Sequence, residues 1–452
     1  MATECADQLH LVMFPFPAFG HISPFIQLSN KLSFHGVRVS FFSIPDYIDR
    51  IKTLLIPSPS IQIVSLQLPP AAHDQDHLNP IQALDPMQTQ IKSLLSQLKP
   101  NFVLFDFCQY WLPSLAAELG IKSLFFSMFA GIASAYITVP SRLNSLEDTP
   151  TVSELREPPP GFPASSNARL KTFQARDYLY MFKSFDGGPR VFNRVLAGLT
   201  GCSAILIKSC MEMDGPYLDY LKTQFKKPVF LTGPLVPEPP SGELEDKWDK
   251  WLDQFPPKTL IFCSFGSETF LNDEQIKELS LGLELTGLPF FLVLNFPDNV
   301  DGKAELERVI PKGFLERVKD RGVVHTGWVQ QQLILAHSSI GCYLTHSGFS
   351  SVIEALVNNC QLVLLPFKGD QFINAKLMSD DMKCGVEVNR RDEDGHFGKE
   401  DIYEAVKTIM VEVEKEPGRS KRANQRKWHK CLVDKKVHDK FISDLVTELK
   451  AY

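Results

Sequence analysis

The 452-residue chain is 44% hydrophobic and 22% charged, ordinary proportions for a globular protein of two or three domains, with two expected. Its formal net charge of −6 lacks the basic footprint of a general nucleic-acid binder, so no nucleic-acid partner is expected. Nine cysteines show no CxxC pair and no metal-ligand spacing, which reads as buried reduced thiols in a cytoplasmic protein without a metal site.

Residues 1–7 hold acids and no basic run, so no signal peptide is expected. The longest apolar run, residues 124–139, is interrupted by Ser127, Ser134 and Tyr136 and falls short of a bilayer span. Residues 9–16 form an apolar run with His10 its one polar side chain, as in a strand buried on both faces of a parallel sheet. Pro15, Pro17 and Gly20 then break the chain into a loop. Pro24 is expected to begin a helix, because its missing N–H does no harm there. That helix ends near Gly36, and residues 37–44 return as a second strand, completing a βαβ unit. Further strands over 61–68, 102–106 and 122–127, with helices between, predict a doubly wound sheet. Residues 142–167, rich in Pro, Ser and Glu, read as a surface loop, and strands over 204–208 and 229–234 complete this half.

Two ionisable residues stand out. His21 lies after the first strand at the mouth of its helix, and Asp106 closes a later strand at the same sheet edge. A helix N-terminus disfavours the imidazolium, which predicts a neutral ring able to take a proton. A carboxylate on the other ring nitrogen would fix the tautomer and stabilise the imidazolium as it forms. Alone, His21 reads equally well as a surface or capping histidine, and Asp106 reads first as a strand-end turn residue. Phe16, Phe19, Trp111, Met128, Phe129 and Tyr136 are expected over the same edge, suited to a flat aromatic ligand. Most of them singly are equally core residues.

Pro234, Pro237, Pro239 and Pro240, followed by an acidic run, mark an exposed linker. It divides a first domain, residues 1–236, from a second, residues 247–436, with the linker at 237–246. Residues 259–267 read as a buried strand ending in a turn at Gly266 and Ser267, whose backbone can approach a phosphate closely. Strands over 289–295 and 323–326 lead to the stretch around which the chain is organised, from Trp328 to Gln371. There two strands each feed a helix start, an arrangement that gathers backbone N–H groups and a positive dipole end for an anion. Trp328 offers a flat face for a base, though a lone Trp is more often core packing. Glu354 can accept from vicinal hydroxyls, while His346, Gly348 and Ser351 sit where a diphosphate would meet the helix. Asp370 and Gln371 bring groups suited to a sugar ring. A strand over 386–389 and a helix over 399–410 follow. The basic run at 419–440 reads first as a solvated helix face rather than an RNA or anionic-surface contact. Phe441, Ile442, Leu445, Val446 and Leu449 have the spacing of an amphipathic closing helix.

In this order and at these spacings, the residues from Trp328 to Gln371 resemble the signature box of the plant UDP-dependent glycosyltransferases of small molecules. That inverting family has the GT-B fold. The resemblance covers nearly the whole chain and implies an α/β protein with two Rossmann-like doubly wound domains facing across a cleft, the first braced by the helix over 437–452. It implies Trp328 on uracil, Gln331 and Glu354 on the ribose, and Asp370 and Gln371 on the transferred sugar. Gly266, Ser267, His346, Gly348 and Ser351 would meet the phosphates, and Gly20, Val329, Phe349 and Ser350 complete the implied donor site. His21 matches the family's catalytic base and Asp106 its partner.

The family's usual His-Cys-Gly-Trp-Asn-Ser reads His346-Ser347-Gly348-Phe349-Ser350-Ser351 here. Phe349 at the Trp position resembles the branch that adds a sugar to an existing glycoside. The implied reaction is transfer from a UDP-sugar to the sugar of a flavonoid or anthocyanin glycoside, by a monomer needing no cofactor or metal. Gln371 fits UDP-glucose as donor, while the Phe349-Ser350 pair leaves UDP-xylose or UDP-rhamnose open. The alternatives are direct glucosylation of a flavonoid or terpenoid aglycone, and a catalytically silent UDP-sugar-binding protein.

Overall fold

The computed structural model describes residues 8–67, 84–184, 187–240, 242–297 and 299–452. Residues 1–7, and Leu68 at the end of the expected third strand, lie outside the described residues.

The first lobe contributes β1 (His10–Phe14), β2 (Arg38–Ser43), β3 (Ile61–Ser65), β4 (Phe102–Phe105), β5 (Lys122–Ser127), β6 (Ala204–Ile207) and β7 (Val229–Leu231). They form a parallel sheet in the order β3-β2-β1-β4-β5-β6-β7. The second lobe contributes β8 (Leu260–Ser264), β9 (Phe290–Leu294), β10 (Gly322–Thr326), β11 (Ile340–Thr345), β12 (Gln361–Leu364) and β13 (Gly385–Glu387). Their order is β10-β9-β8-β11-β12-β13, again parallel.

The continuous apolar runs exist because both faces of each sheet are covered. Val12, Phe14, Val103 and Phe105 belong to the core on one face, while Leu11, Met13, Phe102 and Leu104 belong to the core on the other. This is the two-residue period of a strand, with both phases apolar. The strand orders reverse direction between β1 and β4 and between β8 and β11, so each lobe has one crevice at its switch point. His21 and Asp106 follow β1 and β4. Gly266 and His346 follow β8 and β11.

Two sequence expectations are corrected. The first helix spans Phe19–Phe34, so Pro24 lies inside it rather than at its start. The carbonyl left without an N–H partner is that of Gly20, which is exposed and can turn to solvent. The 142–167 stretch is not wholly a surface loop. It contains the short helix Val152–Arg156, whose Leu155 is fully buried, and Arg142 donates to the carbonyls of Glu154 and Glu157.

The chain ends in the helix Lys435–Ala451, which packs Ile442, Leu445, Val446 and Leu449 into the first lobe's core beside Leu9, Phe102 and Phe230. In the basic run before it, Lys421 donates to the carbonyls of Ser379 and Gly385, and Arg422 to that of Ile409. Those two cations are tied to carbonyls, while Arg426, Lys427, Lys430, Lys435 and Lys436 are exposed, as a solvated helix face requires. Among the described residues, eight cysteines are unpaired and seven of them are buried. No described helix is long and apolar enough to cross a membrane.

Candidate active site

The first crevice holds a histidine–carboxylate pair. His21, in the first turn of the helix Phe19–Phe34, sets Nδ1 2.7 Å from Asp106 Oδ2. Asp106 is 1% exposed and also accepts from the backbone N–H groups of Phe16 at 3.1 Å and Phe107 at 2.7 Å. An ionised carboxylate only accepts, so Nδ1 carries the hydrogen and the neutral ring keeps its lone pair on Nε2. Phe16, Phe107 and Phe129 surround the ring, with centroids 5.3, 5.3 and 6.1 Å away.

The expected effect of the helix end on His21 is overturned. Burial does work against its charge, but the Asp106 carboxylate prevails and holds the imidazole above its ordinary 6.5. Asp370 and Glu268, both from the second lobe, add to this. A carboxylate in direct contact outweighs the partial charge of a helix terminus.

The second crevice opens into a cavity of about 790 Å³ lined by Gly266, Ser267, Asn295, Trp328, Val329 and Gln331. Trp328 is 75% exposed, which removes the core-packing alternative. The Val329 side chain is itself buried. Gln331 is bonded at both amide atoms: its Oε1 accepts from Ser264 at 3.0 Å and Tyr343 at 3.1 Å, and its Nε2 donates one N–H to Glu354 at 2.8 Å. Gln332 donates to the other Glu354 oxygen at 3.2 Å. Two amides thus aim one carboxylate. Burial raises the Glu354 carboxyl above its usual range, opposed by those amides and by Lys208.

His346 lies between two glycines. A Cβ on Gly348 would come 2.6 Å from its Nε2, and one on Gly266 3.1 Å from the same atom. Gly266 has φ +73, so its conformation also favours glycine, and its carbonyl accepts from Asn295 at 2.7 Å. Burial, and then the nearby Lys368, lower the His346 imidazole to about 4, so it is neutral at pH 7. Gly348 caps the helix Phe349–Val357, whose first N–H groups and positive dipole end face an anion's natural position. Ser351 lies half-buried in its first turn.

A protein-family model described as UDP-glucoronosyl and UDP-glucosyl transferase matches residues 314–416. A Petunia hybrida protein named anthocyanidin-3-O-glucoside rhamnosyltransferase is 58% identical over 457 residues, spanning 98% of this chain and 97% of its own. The chain belongs to the UDP-glycosyltransferase family. An Actinidia chinensis cyanidin 3-O-galactoside 2''-O-xylosyltransferase is 39% identical over 98% of this chain and 99% of its own. In fold, the chain resembles Medicago truncatula UGT71G1 complexed with UDP-glucose, with TM-score 0.78 at 20% identity, covering 98% of each chain. The fold is therefore GT-B.

Within this glycosyltransferase, Asp370 and Gln371 open the helix Asp370–Lys376. Gln371 Oε1 accepts from the N–H groups of Phe367 at 3.0 Å and Lys368 at 3.1 Å, fixing the turn before it. Asp370 accepts from Asn374 at 2.7 Å, and burial raises its carboxyl, against the pull of Asn374 and His21. Gly20 is exposed beside His21 in the same helical turn. Phe349 is 4% exposed with its ring toward the Lys208 ammonium, and Ser350 Oγ accepts from Lys208 Nζ at 2.8 Å.

The expected acceptor group divides. Phe16 and Phe129 are at His21, and Phe19 carries the Arg50 guanidinium 3.3 Å from its ring centroid. Three others are core. Tyr136 is fully buried, its hydroxyl bonded to the carbonyls of Leu155 and Arg156, in a helix buried all round. Trp111 is buried against Phe14 and donates to Asp85, and Met128 packs into the core on the opposite face of the sheet. Sequence reading missed Phe107, Asn295 and Lys208. Phe107 directly follows Asp106, and Lys208 is a charge at the end of an apolar strand, a signal that was legible.

Proposed function

We propose that the protein transfers a sugar from a UDP-sugar to a hydroxyl on the sugar of a flavonoid-type glycoside, inverting the donor's anomeric carbon. The His21–Asp106 pair at the first lobe's switch-point crevice, with Nδ1 2.7 Å from the carboxylate, is the observation that carries this. The named relatives from Petunia and Actinidia, both sugar-on-glycoside transferases, support the acceptor class.

An alcohol is a poor nucleophile at neutral pH, so its proton must leave as the oxygen attacks. His21 Nε2 takes that proton while Asp106 stabilises the forming imidazolium. The acceptor oxygen bonds to C1 of the donor sugar as the C1–O bond to the diphosphate breaks, with the electron pair leaving on UDP. Single displacement from the opposite face inverts C1. Neutral His346, Ser267, Ser351 and the N–H groups at the start of helix Phe349–Val357 take up charge on the leaving diphosphate. Those dipoles serve in place of a metal. Trp328 stacks on uracil, Glu354 accepts from the ribose hydroxyls, and Asp370 and Gln371 hold the sugar. Transfer occurs in the cytoplasm, by a monomer.

The experiment is a UDP-release assay with mass spectrometry of products. It sets UDP-glucose, UDP-xylose, UDP-galactose and UDP-rhamnose against flavonoid glycosides and their aglycones. Transfer to glycosides, lost in His21→Ala, is expected. Binding of UDP-sugar with no turnover on any acceptor, or near-full activity in His21→Ala, overturns the proposal.

A further inference from the structure

The helix Thr172–Tyr178 belongs to the first lobe in sequence but is bonded to the second. Thr172 Oγ1 donates to Asp392 at 2.6 Å, Arg176 donates to the Glu393 carbonyl at 2.8 Å, and Phe173 meets Phe372 edge to face. Its last two residues close on a single glycine. Asp177 Oδ2 accepts from the Gly369 N–H at 2.8 Å, and the Tyr178 hydroxyl donates to the Gly369 carbonyl at 2.7 Å. Tyr178 is 3% exposed, so neither bond is a surface accident.

Gly369 immediately precedes Asp370 and Gln371 and has φ 54 and ψ −136, a conformation that residues with a Cβ avoid. A Cβ there would meet nothing within 4 Å, so backbone geometry rather than space demands glycine. On the other side of the turn, Gln371 Oε1 holds the Phe367 and Lys368 N–H groups. The turn is thus fixed at one end by its own lobe and at the other by the acceptor lobe.

We propose that Asp177 and Tyr178 are donor-positioning residues: by gripping both polar groups of Gly369, they orient the Asp370–Gln371 pair toward the transferred sugar. This rests on the assignment of that pair to the sugar. The consequence is that the lobe expected to take the acceptor also sets the choice of donor sugar. Uridine and diphosphate recognition, centred on Trp328, Glu354 and His346, does not pass through this grip.

The test measures binding of UDP and of UDP-glucose by calorimetry, together with donor KM and kcat for UDP-glucose, UDP-xylose and UDP-rhamnose. It compares wild type with Y178F, D177A, D177N and G369A. Losing one hydrogen bond of this kind is worth about fivefold or more. Y178F and D177A should therefore raise donor KM by about that factor and flatten the discrimination among donors, with UDP affinity unchanged. D177N keeps an oxygen that can accept from the Gly369 N–H and should recover most of the loss. G369A, which needs no contact to move, should reproduce the flattening. An equal fall in UDP affinity, or an unchanged ratio of kcat/KM among the donors, overturns the proposal and leaves the helix a lobe-docking element. If the wild type transfers from no donor, the functional assignment fails on its own. The gap between UDP and UDP-glucose binding in the same variants still decides the grip.

Discussion

Lys208 Nζ, just beyond the end of β6 in the first lobe, lies 2.8 Å from Ser350 Oγ at the start of a helix in the second. Lys208 is 1% exposed, its ammonium also faces the Phe349 ring, and Glu354 is its nearest balancing charge. Two of the three departures from the family's signature box, Phe349 and Ser350, are therefore the residues that face this lysine.

Burial lowers the Lys208 ammonium from 10.5 to about 8, against the pull of Glu354. The unfolded chain then binds more protons between those two pH values, so this group's cost to stability is full below 8 and fades as pH rises toward 10.5. K208M removes the cost, and thermal unfolding should show it above wild type at pH 7, the gap closing across that window. S350A instead strands the ammonium and should cost about 1–3 kcal/mol, recovered in the double variant. A denaturant-melt cycle measures this.

His21 is held above its ordinary value by Asp106, so the base is unprotonated only above that raised pKa. The acid limb of kcat/KM should therefore centre above pH 6.5. In D106N, burial acts without the largest of the charges that oppose it. The limb should move to lower pH while the plateau falls by about 100-fold or more. A pH–rate profile of both proteins checks the pair of shifts.

Trp328 is 75% exposed and holds nothing in the core together. W328A should leave the unfolding free energy within about 0.5 kcal/mol of wild type, read by denaturant melt. Its loss of base stacking should weaken UDP binding by about 1–3 kcal/mol, read by calorimetry.

Leu445 is 1% exposed in the helix Lys435–Ala451, against the core of the other end of the chain. L445A should cost about 2–5 kcal/mol by denaturant melt. UDP affinity should be retained at temperatures where the variant stays folded, because the helix packs on the first lobe, away from Trp328.

Much of this was legible from residue order. Apolar runs in both phases announced parallel strands, and glycines after β8 and β11 marked phosphate-sized turns. Pro24 misled because a proline's preference for a helix start is local. The exposed Gly20 carbonyl that makes an interior proline tolerable depends on where the helix lies. Tyr136, Trp111 and Met128 misled because an aromatic or thioether side chain suits a core and a cleft equally. Only the packing decides which: residues 142–167 cover Tyr136, Phe14 and Asp85 hold Trp111, and Met128 lies in the core on the sheet's other face.

By itself, the sequence determined the two lobes, the strand-end placement of His21, Asp106, Gly266 and His346, and the chemistry those residue types offer. Alternation and spacing are properties of a single chain segment, and they survive without knowledge of neighbours. The tertiary structure decided what no segment contains. It set the protonation balance of His21, with Asp106 and two second-lobe carboxylates against burial, the partner of Lys208, and the bonds from Asp177 and Tyr178 to Gly369. Each joins residues from about 85 to more than 190 positions apart. Coulomb and hydrogen-bond energies depend on distance in space, and only the folded chain sets that distance.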